Sequence, residues 1–477
     1  MPSYRTEEDA LGKKKIPRGS YFGIFTQRAL ENFSISNVRI HPKFIKMLAT
    51  VKKAANETNL KLDFIEESHA LAIKKAADEV IEGKLSDQFP LDVFQAGAGT
   101  PWNMNMNEVL ANRANEILGE PLGEYSPVHP NNHVNMMQSS NDVIPNTIRL
   151  TSIELVFELL SKLDALERTF SKKSMEFRSI RKSGRTHLRD AVPITLGQEM
   201  GAYASTVSRA IRRIKESNEH IHRIFLGGTA VGTGLNTHPD FSSLIIERLV
   251  EFTGFDLSLA EDFIEKTQFM SDFQDLIDAV ASLSLDLVKI NNDLMILSSG
   301  PKTGLKEIKL PPVEPGSSIM PGKVNPSILE SVNMVCFQIL GSRTTIEHAV
   351  RSGAMDLNVY TPVIAFNLLN SLERLKEAVR ILNDLCIKDI EVNEKVTEHY
   401  FNHSNAISTL LSPIIGYEKA AKLSEEAMDS DVPVSELAIS KGLVTEDEMD
   451  MILENATEPN LVIIEEIMRK RENDQET

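Results

Sequence analysis

The sequence predicts a mainly α protein of several domains built around long helices, and three observations predict it. The chain has 477 residues, 42% hydrophobic and 25% charged, which is a globular balance and too much chain for one simple core. Apolar residues recur at steps of three and four over long uninterrupted stretches. Between those stretches lie Gly- and Pro-rich connections of unusual length.

From the start, MPSYRTEEDALGKKKIPRG lacks an apolar export segment, and no long uncharged apolar run follows. A cytoplasmic protein without a membrane partner is the expectation. The formal net charge of −17 argues against nucleic acid as a partner. Residues 1–138 read as an N-terminal domain, 139–390 as a helical core, and 391–477 as a small C-terminal domain ending in a solvated, frayed tail, EIMRKRENDQET.

The core carries the helices. Val143–Phe177 and Ile194–Ile224 are periodic, as are Asn325–Val350 and Leu357–Leu385. From Phe269 to Gly300 the seam is Phe273, Leu276, Val280, Leu283, Leu287, Ile290, Leu294 and Leu297. Helices this long imply an elongated bundle whose seams other subunits can share. Cys336 and Cys386 lie in apolar helical surroundings and read as buried reduced thiols.

The connections occupy 94–105, 125–135, 226–240 and 299–326, and the last contains PGSSIMPGKVNP. As a phosphate cradle this loop fails, because five residues separate Gly316 from Gly322 and Val324 follows the lysine. GTAVGTG is not a dinucleotide fingerprint, and no G-x-S-x-G elbow frames Ser317 or Ser318. His129 and His133 are four apart, but Pro130 intervenes and spoils a helical metal pair. What remains is a set of small hydroxyl and amide residues with one lysine: Thr100, Ser139, Ser140, Asn141, Thr186, His187, Ser317, Ser318, Lys323 and Asn325. Such groups suit a site that holds planar carboxylates. Taken singly, each serves equally well as a helix cap or turn residue.

Taken together, the stretches resemble the fumarase/aspartase superfamily over nearly the whole chain. GSSIMPGKVNP at 316–326 looks like its signature loop. NMNMNEVLANRA at 103–114, HPNNHVNMMQSSND at 129–142, GRTHLRDAVPITLGQE at 184–199 and LGGTAVGTGLNTHP at 226–239 match further blocks in order. The resemblance implies a three-domain helical fold and a homotetramer whose central domains form one bundle, each active site drawing on three subunits. It implies anti elimination from a small dicarboxylate with release of fumarate, through an aci-carboxylate and with no metal or organic cofactor.

Carried over by position, the resemblance makes Ser317 the base, and Lys323 and Asn325 the clamp on the aci-carboxylate. Thr100, Ser139, Ser140, Asn141 and Ser318 would bind substrate. Thr186 and His187 would stand beside the second carboxylate and the leaving group, with Glu330 as the partner of His187. A secondary anion site would involve His129, Asn131 and Asn132, altered because Asn132 stands where Asp is usual and Ser126 where a basic residue is.

QSSND, LGGTAVGTGLNTHP, the His129–Pro130 pair and LNVYTPV read like the class II fumarase branch, which is the expected activity. Ala98 and PSILESVNMVCFQILG read like the aspartase branch, the alternative. A non-catalytic, crystallin-like descendant would show damage among Thr186, His187, Ser317, Lys323, Asn325 and Glu330. All six are intact.

Overall fold

The computed structural model describes residues 4–476, with side chains through Asn473. The chain divides into two compact units. One holds residues up to Ser161, Ala210–Leu285 and Met334–Glu377; the other holds Lys162–Arg209, Asp286–Asn333 and the chain from Ala378.

The first unit begins with strands β1 (Tyr4–Asp9) and β2 (Gly12–Pro17), paired antiparallel. Helices α1 (Ile24–Asn32), α2 (Pro42–Lys61), α3 (Glu67–Ile81) and α4 (Thr100–Ile117) follow. α2 starts where Pro42 takes the first helical position and His41 Nδ1 accepts the Lys43 N–H at 3.2 Å. Phe44 and Trp102 join α2 to α4 with ring centroids 5.2 Å apart. The buried Glu108 of α4 accepts the N–H groups of Gly23, Phe25 and Thr26, which seats the N-terminus of α1.

The long helices are α5 (Ser140–Glu176), α6 (Leu196–Ile221), α9 (Ser271–Leu297), α10 (Ser327–Arg351) and α11 (Thr361–Leu385), and each gives one stretch to each unit. Between α5 and α6 runs the hairpin β3 (Arg181–Thr186) and β4 (Arg189–Thr195). Between α6 and α9 lie β5 (Arg223–Ile224), α7 (Phe241–Thr253), β6 (Ser258–Leu259) and α8 (Phe263–Gln268). The helix expected from Ile194 starts only at Leu196. There Thr195 and Gln198 exchange bonds, Thr195 N–H to Gln198 Oε1 at 2.9 Å and Gln198 N–H to Thr195 Oγ1 at 3.0 Å, and close a capping box. Every seam residue of α9 named from the sequence is buried.

The second unit adds the short strands β7 (Ile308–Lys309) and β8 (Glu391–Val392), paired antiparallel. Six helices end the chain: α12 (Glu394–Asn402), α13 (Ile407–Ile415), α14 (Tyr417–Ser430), α15 (Val434–Ser440), α16 (Glu446–Glu454) and α17 (Leu461–Glu476). They enclose a small core that includes Phe401, Leu411, Ala438, Ile452 and Ile467. The tail expected to fray is instead helical through Glu476, because Ile467 is buried and Arg471 forms a forked pair with Glu448. Thr477 lies outside the described residues.

Both cysteines are free and buried, and burial pushes their thiols up to about 12. Among the described residues no helix is long and apolar enough to cross a membrane.

Candidate active site

In the first unit two helix N-termini meet. Ala98 and Gly99 adopt left-handed backbone (φ 58° and 65°), turning the chain into α4 at Thr100. A β-carbon on Gly99 would come within 3.0 Å of the Ile144 side chain in α5, so only glycine lets the two starts approach so closely. Asn103 Nδ2 donates to Ser140 Oγ at 3.2 Å across this junction. Orphan N–H groups at paired N-termini favour anions.

The Ser139–Asn141 turn is held from behind. Asp142, fully buried, accepts the Ser139 N–H at 2.9 Å and those of Gly227 and Thr229, both at 3.0 Å. Asn141 Nδ2 donates to Ala230 O at 2.7 Å, and its N–H to Ser139 Oγ at 3.3 Å. The loop LGGTAVGTG thus clasps the turn. Gly232 is required in it, because a β-carbon there would lie 2.5 Å from the Ile264 backbone.

Sequence reasoning missed the support beneath this turn. Lys52 of α2 is fully buried and donates to Asn135 Oδ1 at 3.0 Å and Gln138 Oε1 at 2.9 Å. Asn135 Oδ1 also accepts from Asn103 and Asn107, at 3.1 Å each. The chain of bonds therefore runs from Lys52 through Asn135 and Asn103 to Ser140. Burial pulls the Lys52 ammonium down to about 7 and pushes the Asp142 carboxyl up to about 6. A usable signal existed: Lys52 falls in step with the buried Leu48 and Ala55 on the apolar face of α2.

Of the residues expected at a secondary anion site, Asn131 and Asn132 lie in the turn Pro130–Val134 and His129 caps it. His129 Nδ1 accepts the N–H groups of Asn131 (3.1 Å) and Asn132 (3.2 Å), and His133 Nδ1 accepts the His129 N–H at 2.8 Å. Both imidazoles are held below the usual histidine range, by burial first. The side chains of Asn131 and Asn132 are exposed.

In the second unit the β3–β4 hairpin carries Thr186 and His187. Its two-residue turn is His187–Leu188, both left-handed at φ 56° and 58°, as a primed turn requires. Neither residue is one that such turns prefer, and strain of this kind collects at functional positions. The hairpin root is bolted down: Lys182 pairs with Glu199 at 2.9 Å and Glu307 at 3.2 Å, and Arg185 pairs with Glu307 at 2.7 Å. Glu307 has no exposed side-chain surface.

Glu307 also begins the approach to the signature loop, which closes on itself. Gly316 N–H donates to Lys323 O at 2.8 Å, and Asn325 Nδ2 donates to Gly316 O at 2.6 Å. A β-carbon on Gly316 would sit 2.6 Å from Asn325 N, so glycine is required at this neck. Inside the ring Ser317 Oγ accepts two backbone N–H groups, from Ile319 at 3.2 Å and Met320 at 2.9 Å. Two fixed dipoles aimed at one hydroxyl oxygen favour its ionised form. Ser318 and Lys323 are exposed on the same loop, and Glu330 stands in the first turn of α10.

The residues thus fall into two groups. Thr100, Ser139, Ser140 and Asn141 belong to the first unit. Thr186, His187, Ser317, Ser318, Lys323, Asn325 and Glu330 belong to the second. Among the described residues the side chains of His187, Lys323 and Glu330 make no hydrogen bond or ion pair within the chain, and all three are exposed.

A family model described as a lyase matches residues 12–341, and one described as the fumarase C C-terminus matches 407–457. The aspartate ammonia-lyase of Bacillus subtilis is 44% identical over 94% of this chain and 95% of its own length. A class II fumarate hydratase of Neisseria meningitidis is also 44% identical, over 94% of this chain and 97% of its own. Among solved structures, a fumarate lyase:delta crystallin from Brucella melitensis, bound to cobalt, superposes with a TM-score of 0.92 at 42% identity. That match covers 96% of this chain and all of the other.

Proposed function

The chain belongs to the fumarase/aspartase superfamily of lyases, and on that premise we propose that it catalyses the reversible anti elimination of ammonia from L-aspartate to give fumarate. The observation that carries the chemistry is the pair of N–H groups donating to Ser317 Oγ. A serine is a poor base at its ordinary pKa, and donors that favour its alkoxide answer that difficulty.

In this reading Ser317 takes the proton from the carbon next to one carboxylate. The electron pair moves into that carboxylate, where Lys323 and Asn325 hold the extra charge. Collapse of the aci-carboxylate forms the double bond and expels the amine. Thr100, Ser139, Ser140, Asn141 and Ser318 hold the substrate through hydroxyl, amide and helix-end N–H groups. Thr186 and His187 attend the second carboxylate and the leaving group, and Glu330 orients His187. In this proposal the protein is a homotetramer in the cytoplasm. A second copy then supplies partners for the exposed His187, Lys323 and Glu330, and each site draws on three subunits.

Ammonia as leaving group is supported by Ala98, a buried methyl where fumarases typically carry serine, and by PSILESVNMVCFQILG along α10. The Bacillus subtilis relative points the same way. A second reading, class II fumarase acting on L-malate, is favoured by Ser140 in QSSND and by the relative from Neisseria meningitidis. The test is to follow fumarate absorbance with purified protein, supplying L-aspartate in one cuvette and L-malate in another. Fumarate from aspartate alone supports the first reading. Fumarate from malate alone overturns it in favour of the second.

A further inference from the structure

A groove of about 330 Å³ in the second unit is lined by Arg168, Thr169, Lys172, Lys173, Asn383 and Lys388. It shares no residue with the elimination chemistry. No carboxylate is among its lining residues, although the whole chain has a formal charge of −17. Lys173 is already committed, donating to Ile390 O at 2.9 Å and pairing with Glu176 at 3.1 Å. Arg168, Lys172 and Lys388 are exposed and have no ion-pair partner among the described residues.

Arg168 and Lys172 are four residues apart on α5, so their two positive charges share one helix face at the groove.

A second observation is independent of charge. Asn383 is 9% exposed and donates Nδ2 to Asp384 at 2.8 Å, but its buried Oδ1 accepts nothing among the described residues. An oxygen of this kind calls for a donor. Three uncommitted cations, one of them a guanidinium fork, suit a phosphate dianion, and the amide oxygen suits a hydroxyl beside it.

We propose that this groove is a binding site for a phosphate monoester that also carries a hydroxyl group, such as a sugar phosphate. Arg168, Lys172 and Lys388 take the phosphate, and Asn383 Oδ1 accepts the hydroxyl. The site belongs to the chain independently of which amino or hydroxy acid it eliminates.

The experiment is calorimetric titration of the full-length protein at physiological ionic strength, with fumarate at saturation to occupy the substrate site. The probes are ribose 5-phosphate and inorganic phosphate. One saturable event per chain is expected with ribose 5-phosphate. Lys172→Glu should weaken it at least tenfold. Asn383→Ala should weaken ribose 5-phosphate severalfold while leaving inorganic phosphate unchanged. Lys470→Glu, an equal change of charge at an exposed paired lysine, should leave both unchanged. The proposal is overturned if no saturable binding occurs, if Lys172→Glu binds as tightly as wild type, or if Lys470→Glu loses as much affinity as Lys172→Glu.

Discussion

The hydroxyl oxygen of Ser317 lies 2.9 Å from the backbone nitrogen of Met320, whose N–H donates to it. That relationship exists because the loop is pinched at its neck, where Gly316 meets Lys323 and Asn325. Gly316→Ala inserts a β-carbon 2.6 Å from Asn325 N and forces the neck open. Misplacement on the scale of 1 Å costs about 100-fold in rate, so kcat should fall by about that factor. The melting temperature should hold, because the loop is exposed. Unchanged kcat would show that the pinch does not set the Ser317 geometry.

Lys52 yields a prediction with a definite sign. Its ammonium loses protons near pH 7 in the folded chain but near 10.5 when unfolded. Between those values the unfolded state binds one more proton, so this residue makes stability rise with pH by about 1.4 kcal/mol per unit. The cost of burying the charge is present in full below pH 7 and gone above 10.5. Lys52→Met should flatten that rise in denaturant unfolding measured from pH 7 to 10. The same variant leaves Asn135 Oδ1 and Gln138 Oε1 without their ammonium donor and should raise KM through Ser140. Parallel stability profiles for variant and wild type would refute the assignment.

His187 occupies a left-handed turn position that asparagine tolerates well. His187→Asn should therefore keep the hairpin and its thermal stability. It should lower kcat by about 100-fold to 10,000-fold, as expected for loss of a group that moves protons. A variant that melts early but turns over normally would make the histidine structural.

Glu307 is the buried anion shared by Lys182 and Arg185 at the root of the hairpin. Removing one member of a buried ionic cluster costs about 3–5 kcal/mol. Glu307→Gln should therefore lower the unfolding free energy by that order in a denaturant titration. A change below 1 kcal/mol would mean that the cluster does not anchor the hairpin.

The long helices were legible because their seams are local patterns, and the residues on the α9 seam named from the sequence are buried. Helix starts were less legible. The Thr195–Gln198 capping box overrides the apolar pattern that runs back to Ile194 and starts α6 at Leu196. The end of the chain misled because EIMRKRENDQET is polar by composition, yet Ile467 packs into the C-terminal core and Arg471 finds Glu448. In the candidate site, short motifs exposed the loops that present hydroxyls and amides. The groups behind them, Lys52, Asp142 and Glu307, depend on contacts 83 to 125 residues apart in the chain, and no local pattern reports such contacts.

If Ser317 is the base, removing its hydroxyl removes the reaction, and the Ser317→Ala variant measures this. Steady-state kinetics for fumarate release from L-aspartate and from L-malate should show kcat reduced at least a thousandfold on the active substrate. Fumarate binding and oligomer size should match wild type. A Ser317→Ala protein with kcat near that of wild type would show that another group takes the proton.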